Sequence, residues 1–326
     1  MIKGRKFFIT GGAGFIGSNL INRIFQENYV IVYDNFSRDS IRGTGLLERK
    51  NIEIFRGDIL DYDSVKKCIP SDVDIVIHLA AIAGIDTVIK NPAKTIEVNV
   101  IGTYNLLKSL MELKVIDRIE FFINFSTSEV FGISAFRVDE KTPANLQPVG
   151  EARWTYSVAK LVGEHLVYAY YNQYGLKAVN IRPFNIYGPG QVGEGAIHHF
   201  VVRALKNEPL IIHGDGSQIR SWCYIDDLVD AVILCLENQN SIGESFNIGN
   251  PKGTITILSL AEKIIHLAGS SSQIVYVPKN YADVELRIPS IDKAKQILGF
   301  EPKVDLNEGI RRTIQWYREK IKRENI

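Results

Sequence analysis

The stretch "YSVAK" contains two residues, Tyr156 and Lys160, whose types and spacing could support proton transfer. Residues four apart on a helix lie on one face, so the phenol and the ammonium would be neighbours. A free phenol has a pKa of about 10 and is a poor base at neutral pH. A nearby positive charge lowers that pKa and makes the phenolate a usable general base. An ordinary amphipathic helix with the same two residues is the alternative interpretation.

A second candidate group follows a predicted strand, in "NFSTSEVFG". Thr127 could hydrogen-bond a substrate hydroxyl beside the phenolate, or it could cap the loop that follows. Glu129 lies two residues further on, and residues two apart on an extended segment share one side. We therefore expect Glu129 to face the same substrate as an acid or base. An exposed loop carboxylate is the alternative.

Three glycines, Gly11, Gly14 and Gly17, separate an apolar run from a helical pattern in "FFITGGAGFIGSNLI". A strand, a glycine-rich turn and a helix in this order are typical of dinucleotide-binding proteins. The first glycine permits a tight turn, the second a close approach to a pyrophosphate, and the third close packing of helix on strand. The helix N-terminus would offer free N–H groups to the anion. A plain glycine-rich turn is the alternative.

Two acidic residues that end the next two predicted strands refine this prediction. Asp34 lies where a carboxylate accepts hydrogen bonds from the adenosine ribose hydroxyls. A carboxylate would repel a 2′-phosphate, so we predict NAD rather than NADP, although Arg38 stands close by. Asp58 in "RGDIL" could meet the adenine, or it could cap the following helix.

The elements that carry these residues are short β-rich runs alternating with segments of helical periodicity. This alternation predicts an α/β fold with a doubly wound parallel sheet, a Rossmann architecture. The strands are nearly continuous apolar runs, as expected when helices cover both faces of the sheet. The predicted strands are 6–10, 30–34, 52–58, 74–81, 119–127 and 177–185, and one of the helical segments is 91–114.

The alternation ends near residue 185, where a glycine-rich loop segment over 186–200 begins. We therefore predict a Rossmann domain over 1–184 and a second, smaller mixed α/β domain over 185–326. The chain is expected to return to the first domain near 221–248. Ligands of such folds bind beyond the carboxyl ends of the strands, and the second domain is the substrate side.

The composition is that of an ordinary globular protein. Among 326 residues, 45% are hydrophobic and 23% charged, and the formal net charge is +1. No field of one sign favours nucleic acid or an anionic membrane as the partner. No apolar run approaches the ~18 residues of a membrane-spanning helix. The start of the chain lacks a signal-peptide cleavage site, so we expect a cytoplasmic protein.

Cysteine and histidine usage favours neither a disulfide framework nor a metal site. Three cysteines without metal-ligand spacing fit a reducing compartment. The neighbours His198 and His199 have no carboxylate or thiol partners at ligand spacing. We predict no metal.

Taken together, the motifs resemble the extended short-chain dehydrogenase/reductase family of nucleotide-sugar epimerases, dehydratases and decarboxylases, over essentially the whole chain. They are "GGAGFIG", "DNFS", "GDI", "HLAA", "NVIGTYNLL", "STSEVFG", "YSVAK", "RPFNIYGP", "RSWCYIDDLVDA" and "FNIGN". The resemblance implies that tightly held NAD oxidises a sugar at C4. It also implies that Tyr156 is the base, Lys160 holds the nicotinamide ribose and Thr127 positions the reacting hydroxyl.

Further binding residues follow from the same resemblance. The cofactor residues it implies are Gly11, Gly14, Phe15, Ile16, Gly17, Asp34, Asn35, Asp58, Ile59, Leu79, Ala80, Ala81, Asn99, Tyr156, Lys160 and Pro183. The substrate residues it implies are Thr127, Ser128, Asn185, Arg220 and Arg287, with Asn185 and Arg220 at the diphosphate. It also implies a homodimer built on helices at 100–113 and 157–171, for which burial within one subunit is the alternative.

The step after C4 oxidation separates the members of this family. A plain 4-epimerase needs no second acid or base, so Glu129 argues against one. A 4,6-dehydratase needs a base at C5 and an acid at O6, and Ser128 stands where dTDP-glucose-type dehydratases carry Asp. "ARWTYSVAK" and "ADVELRIPSIDKAKQILGFEPKVD" resemble UDP-glucuronate decarboxylases. In those enzymes an Arg at the position of Arg287 faces the substrate and is a proposed proton donor at C5; binding of the diphosphate is the alternative role.

Two departures from the decarboxylase pattern keep other reactions open. Val88 lies in the segment where those enzymes have a Tyr near the substrate, and Ile288 replaces a basic residue. We expect decarboxylation of UDP-glucuronate. The alternatives are 4,6-dehydration of an NDP-hexose or a UDP-N-acetylhexosamine, and 4-epimerisation. A non-enzymatic module that senses NAD is a different class of function, but such a module would not need its reactive side chains, and all four catalytic candidates are present.

Overall fold

The central element of the computed structural model, which describes residues 2–146, 148–279, 281 and 283–324, is a parallel sheet of seven strands. The strands, in their order across the sheet, are β12 (Ser245–Ile248), β7 (Ala178–Pro183), β5 (Phe121–Phe125), β4 (Ile75–His78), β1 (Lys6–Thr10), β2 (Tyr29–Asp34) and β3 (Ile52–Arg56). The order reverses between β1 and β4, and ligands of doubly wound sheets bind beyond the carboxyl ends of the strands at such a point.

Both faces of this sheet are buried under helices. On β1, Phe7 and Ile9 pack into one apolar core and Phe8 into another, because successive side chains on a strand point to opposite faces. The predicted doubly wound parallel sheet is therefore confirmed. The helices are α1 (Phe15–Ile24), α2 (Tyr62–Cys68), α3 (Ile85–Lys90), α4 (Pro92–Ile96), α5 (Gly102–Glu112), α6 (Thr155–Tyr174), α7 (Ala196–Leu205), α8 (Ile225–Leu236), α9 (Ile257–Ala268), α10 (Asp292–Leu298) and α11 (Leu306–Glu324).

Three small sheets form the second, mixed α/β part. A four-stranded sheet contains, in spatial order, β13 (Thr254–Thr256), β10 (Ile219–Ser221), β15 (Leu286–Pro289) and β6 (Ser134–Val138). The other two pair β8 (Ile186–Tyr187) with β11 (Cys223–Tyr224), and β9 (Leu210–His213) with β14 (Ile274–Val277). β10 runs antiparallel to β13 but parallel to β15, which makes this part mixed.

Several predicted boundaries differ from the structure. The segment 91–114 is not one helix: a π-helical turn (Glu97–Ile101) separates α4 from α5. The strand predicted at 74–81 ends at His78, and the one predicted at 119–127 ends at Phe125. Beyond these points the apolar residues leave the sheet and form loops beside a cavity. The division at 184/185 stays a prediction.

None of the helices in the described part of the chain combines the length and the apolar composition that a membrane span needs.

Candidate active site

A cavity of about 510 Å³ lies at the carboxyl ends of β1, β2 and β4, at the reversal of strand order. The turn after β1 forms one wall. Gly11 has a φ of +72°, and a Cβ there would lie 2.5 Å from the backbone nitrogen of Ala80. Only glycine therefore lets the turn approach the loop after β4. Gly14 precedes α1, whose first backbone N–H groups have no side-chain cap and can bind an anion.

Most residues predicted for the cofactor meet in this cavity. Those that line it are Gly11, Gly14, Phe15, Ile16, Gly17, Asp34, Asn35, Asp58, Ile59, Leu79, Ala80 and Ala81. Asn99, Tyr156, Lys160 and Pro183 do not line it. The amide of Asn99 is bonded to both the N–H (2.8 Å) and the C=O (2.9 Å) of Ile82, so it positions the loop after β4. The glycine-rich turn and the carboxylates fit a dinucleotide, and the binding of the adenosine ribose by Asp34 stays a prediction.

The groups around Asp34 fit NAD. The carboxylate of Asp34 accepts hydrogen bonds from the N–H groups of Ala13 (2.9 Å) and Phe36 (2.7 Å). Burial raises its pKa, against the effect of these donors. The guanidinium of Arg38, the candidate for binding a 2′-phosphate, instead donates to the carbonyl of Ala83 (2.6 Å) and lies 3.7 Å from the carboxylate of Glu194.

Asp58 does not cap the helix that follows it. Its carboxylate accepts a hydrogen bond from the N–H of Leu60 (3.0 Å) within the loop. The N-cap of α2 is Asp61, which accepts from the N–H of Ser64 at 3.1 Å. Asp58 is thus left on the cavity wall, where the adenine interpretation remains a prediction.

Thr127 and Tyr156, from β5 and α6, lie together. Thr127 follows the carboxyl end of β5, and its side chain is close enough to the Tyr156 phenol to help lower the pKa of that phenol. Lys160 lies one turn further along α6 and is buried. Burial lowers the pKa of Lys160 to about 8, against the opposing charge of Glu164. This arrangement can hold a hydroxyl group between a threonine and a phenol.

The predicted lowering of the pKa of the phenol does not arise from the protein's own groups. Burial, followed by the charge of Glu129, raises the pKa of Tyr156 to about 12. The cationic groups that most oppose this rise are Arg153 and Arg38. Burial of a phenol disfavours its charged form. The positive ring of an oxidised nicotinamide would supply a further favourable charge.

Glu129 reaches the pocket by a different local structure than predicted. Residues 128–131 form a 3-10 turn rather than an extended segment, and the Thr127 side chain caps it by accepting from the N–H of Glu129 at 3.2 Å. The prediction that Thr127 and Glu129 share one side of an extended segment is therefore wrong. Thr127 thus both caps the loop and meets the phenol. Ser128 is buried in the turn and lines neither the dinucleotide cavity nor the second cavity, which is described below.

The Glu129 carboxylate is held by two arginines. Arg153 binds it bidentately, with Nη2 2.8 Å from Oε1 and Nη1 on Oε2, and Arg287 Nη1 lies 3.4 Å from Oε1. Burial alone would raise the pKa of Glu129, but Arg153 and Arg287 outweigh it and lower that pKa. Glu129 is therefore an anion in this site.

Arg153 is not among the residues predicted from the sequence. It is 3% exposed and lies three residues before Tyr156, in the 3-10 turn that precedes α6. A charged residue three positions from a catalytic tyrosine, on the same helical face, is the signal that could have identified it. The Nε atoms of Arg153 and Arg287 are buried and have no hydrogen-bond partner among the described residues.

A second cavity, of about 460 Å³, adjoins Glu129 and brings together three of the five predicted substrate residues, whereas Thr127 and Ser128 do not line it. Asn185, Arg220 and Arg287 all line it, with Arg153 and Glu129. The register of β10 on β15 pairs Arg220 directly with Arg287, which sets two guanidiniums side by side. Arg220 pairs with Asp283 at 3.2 Å, and Lys279 lies 3.3 Å from the same carboxylate. Arg153 and Arg287 likewise share the carboxylate of Glu129.

The histidines have structural partners. His78, which is buried, is bonded to Thr10 (2.7 Å) and Thr103 (2.9 Å), and burial lowers its pKa to about 3. His198 contacts the hydroxyl of Tyr317 at 2.8 Å. Within the described residues, no three His, Cys, Asp or Glu side chains are grouped so that they could hold a metal ion.

Comparison with known proteins identifies the family. A model of the NAD dependent epimerase/dehydratase family matches residues 7–249. The chain is 34% identical over 325 residues to a UDP-N-acetyl-alpha-D-glucosaminuronate decarboxylase of Bacillus cytotoxicus, covering 97% of this chain and 98% of that protein. It is 37% identical over 313 residues to UDP-glucuronic acid decarboxylase 3 of Arabidopsis thaliana, covering 94% and 86%.

A solved structure extends the comparison to the fold. UDP-glucuronic acid 4-epimerase from Bacillus cereus, in complex with UDP-glucuronic acid and NAD, superposes with a TM-score of 0.87 at 31% identity, covering 97% of this chain and 99% of that one. The family predicted from the motifs, an NAD-dependent enzyme acting on nucleotide sugars, and the cofactor NAD are confirmed. The chain therefore belongs to the NAD-dependent epimerase/dehydratase family.

Proposed function

We propose that this protein decarboxylates UDP-glucuronate through a transient 4-keto intermediate. One observation carries the proposal: two buried guanidiniums, Arg153 and Arg287, share one carboxylate, Glu129, and each has an Nε–H without a partner among the residues that the structure describes. An excess of buried positive charge favours an anionic ligand. The diphosphate is expected at Asn185 and Arg220. The excess positive charge of Arg153 and Arg287 is then available to bind a carboxylate on the sugar.

The bound cofactor and four side chains each have one role in the proposed reaction. Bound NAD supplies a hydride acceptor for C4 and the positive charge of its oxidised ring. Tyr156 takes the proton of the C4 hydroxyl at its phenol oxygen, and Thr127 orients that hydroxyl. Lys160, whose pKa is about 8, contributes an ammonium to the same pocket at neutral pH. A 4-ketone beside C5 lets the carboxylate leave as carbon dioxide, and we assign Arg287, which lines the substrate cavity, as the donor of the proton that C5 then takes up. Return of the hydride from the reduced cofactor to C4 would complete the cycle.

The lack of an acid at O6 counts against dehydration. Loss of water across C5 and C6 needs a base at C5 and an acid at O6, and the ionised Glu129, held by Arg153, could supply only the base. Ser128, at the position of the dehydratase acid, is buried outside the cavity. Epimerisation at C4 needs no group at C5, so it would leave the Glu129 cluster without a chemical task.

The assay is mass spectrometry of the sugar after incubation with UDP-glucuronate, UDP-N-acetylglucosaminuronate, UDP-glucose and GDP-mannose. We expect the mass of carbon dioxide to be lost from UDP-glucuronate and the other sugars to be turned over more slowly or not at all. Loss of water would indicate dehydration, an unchanged mass with a new isomer epimerisation, and preferential loss of carbon dioxide from the N-acetyl sugar a different uronate. Any of these three results would overturn the proposal.

We also propose a homodimer formed by α5 and α6. Both helices leave large apolar side chains in solvent, among them Tyr104 (44% exposed), Val162 (38%) and Tyr168 (52%). Burying such a patch against a second copy would remove this apolar area from water. A cytoplasmic location stays a prediction, supported by the free thiols of Cys68, Cys223 and Cys235.

A further inference from the structure

The loop between β8 and α7, residues 188–195, crosses the boundary between the two cavities. Gln191, Val192 and Glu194 line the dinucleotide cavity, and Gln191 and Glu194 also line the substrate cavity. One short segment therefore forms part of both walls. None of the chemistry derived above uses it.

The Glu194 carboxylate fastens this loop to α3. It accepts hydrogen bonds from the backbone N–H of Asp86 (2.8 Å) and Thr87 (3.0 Å), and from the Thr87 hydroxyl. Arg38 lies 3.7 Å from the same carboxylate on the cofactor side. Hydrogen bonds to an ionised acceptor are about twice as strong as neutral ones, so this is a strong link for a side chain that remains 24% exposed.

The backbone of the opposite segment is shaped for this contact. Gly84 has a φ of +101°, and a Cβ there would lie 2.6 Å from the Glu194 carboxyl group. A side chain at that position would be strained and would displace Glu194. The loop from 79 to 83, which lines the dinucleotide cavity, is thus held by Asn99 at Ile82 and by Glu194 just beyond Gly84.

We propose that Glu194 is a positioning residue that retains the dinucleotide by tying the wall of its cavity to the substrate loop. This role rests on the proposed function in one respect. A reaction that oxidises C4 and then reduces it again must keep the reduced cofactor in place between the two hydride transfers. A link across both walls serves that need, because it opposes opening of the cofactor cavity while the sugar is bound.

The test measures how fast NADH leaves the purified protein, by stopped-flow fluorescence after mixing with excess NAD. Glu194→Gln keeps the shape but removes the charge, and we expect NADH to leave about tenfold faster or more, as lost charge-assisted hydrogen bonds imply. Thr87→Val, which removes one donor, should give a smaller change in the same direction. Glu301→Gln removes a surface carboxylate paired with Lys295 and should leave the rate unchanged.

Thermal unfolding is followed in parallel, so that a folding defect is recognised. An unchanged rate of NADH release in folded Glu194→Gln overturns the proposal, as does an equal increase in Glu301→Gln. The release is measured without any sugar. Failure to decarboxylate UDP-glucuronate would therefore overturn the proposed function and leave this result standing.

Discussion

The bond between Arg153 and Glu129 gives the sharpest prediction, because the site depends on an ionised carboxylate. Arg153→Met removes both charge-assisted hydrogen bonds and leaves Glu129 with Arg287 at 3.4 Å. Removing one partner of a buried ion pair costs about 3–5 kcal/mol of stability. Glu129 is 19% exposed and keeps one cation, so we expect the lower end, about 3 kcal/mol.

Activity should fall for two reasons. Without Arg153 the pKa of Glu129 rises, because Arg153 is the cation that lowers it most. The pKa of Tyr156 rises as well, because Arg153 is one of the cations that lower it. Loss of a positioned general acid or base lowers the rate by a factor of roughly 10²–10⁴. We expect kcat of Arg153→Met to decrease within that range.

The pH dependence follows from the sign of the shift. The pKa of Glu129 is depressed in the folded protein. Its stabilising contribution is therefore complete above the unfolded pKa of about 4.3 and is lost as pH falls through the folded pKa. The stability gap between wild type and Arg153→Met should be full at neutral pH and shrink under acid conditions.

The assay is urea unfolding at several pH values, together with kcat and KM for UDP-glucuronate. Arg5→Met is the matched control, because Arg5 forms a surface ion pair with Glu120 at 2.8 Å. Surface pairs contribute about 0–1 kcal/mol. If Arg153→Met unfolds at the same urea concentration as Arg5→Met and keeps wild-type kcat at every pH, the assigned role of the pair is wrong.

Three further results are expected. Tyr156→Phe should fold normally and lose roughly 10²–10⁴ in kcat, measured by carbon dioxide release; near wild-type turnover would contradict its role as the base. The activity of the wild type should decline as pH rises through about 8, where Lys160 loses its proton, and a flat profile up to pH 10 would contradict a need for the ammonium. The double variant Tyr104→Glu, Val162→Glu should be monomeric by sedimentation while Phe136→Glu, at an exposed site on β6, keeps the wild-type mass; equal masses for all three would exclude the proposed interface.

The parts of the fold that the sequence predicted well are those set by local patterns. Gly11 sits in a left-handed turn that only glycine adopts without strain, and apolar runs with flanking helical periodicity identified the strands of the large sheet. Thr127 follows the carboxyl end of β5 and Tyr156 lies in the first turn of α6, and these two ends lie at the same edge of the sheet.

What could not be predicted depends on contacts between distant segments. Glu129 comes from the 3-10 turn after β5, Arg153 from the 3-10 turn before α6, and Arg287 from β15. They meet because β15 pairs with β6 and β10 in one register. No single-sequence pattern fixes that register. The same holds for the pKa of Tyr156, because burial and the charge of Glu129 are properties of the assembled pocket.

The most direct test is a single turnover of the NAD-loaded enzyme with UDP-glucuronate, with absorbance of reduced nicotinamide and released carbon dioxide followed on one time base. If oxidation at C4 is the enabling step, the absorbance should rise before carbon dioxide appears and then decay, and Tyr156→Phe should slow both signals by a factor of roughly 10²–10⁴. Carbon dioxide released without any prior reduction of the bound cofactor would contradict the account.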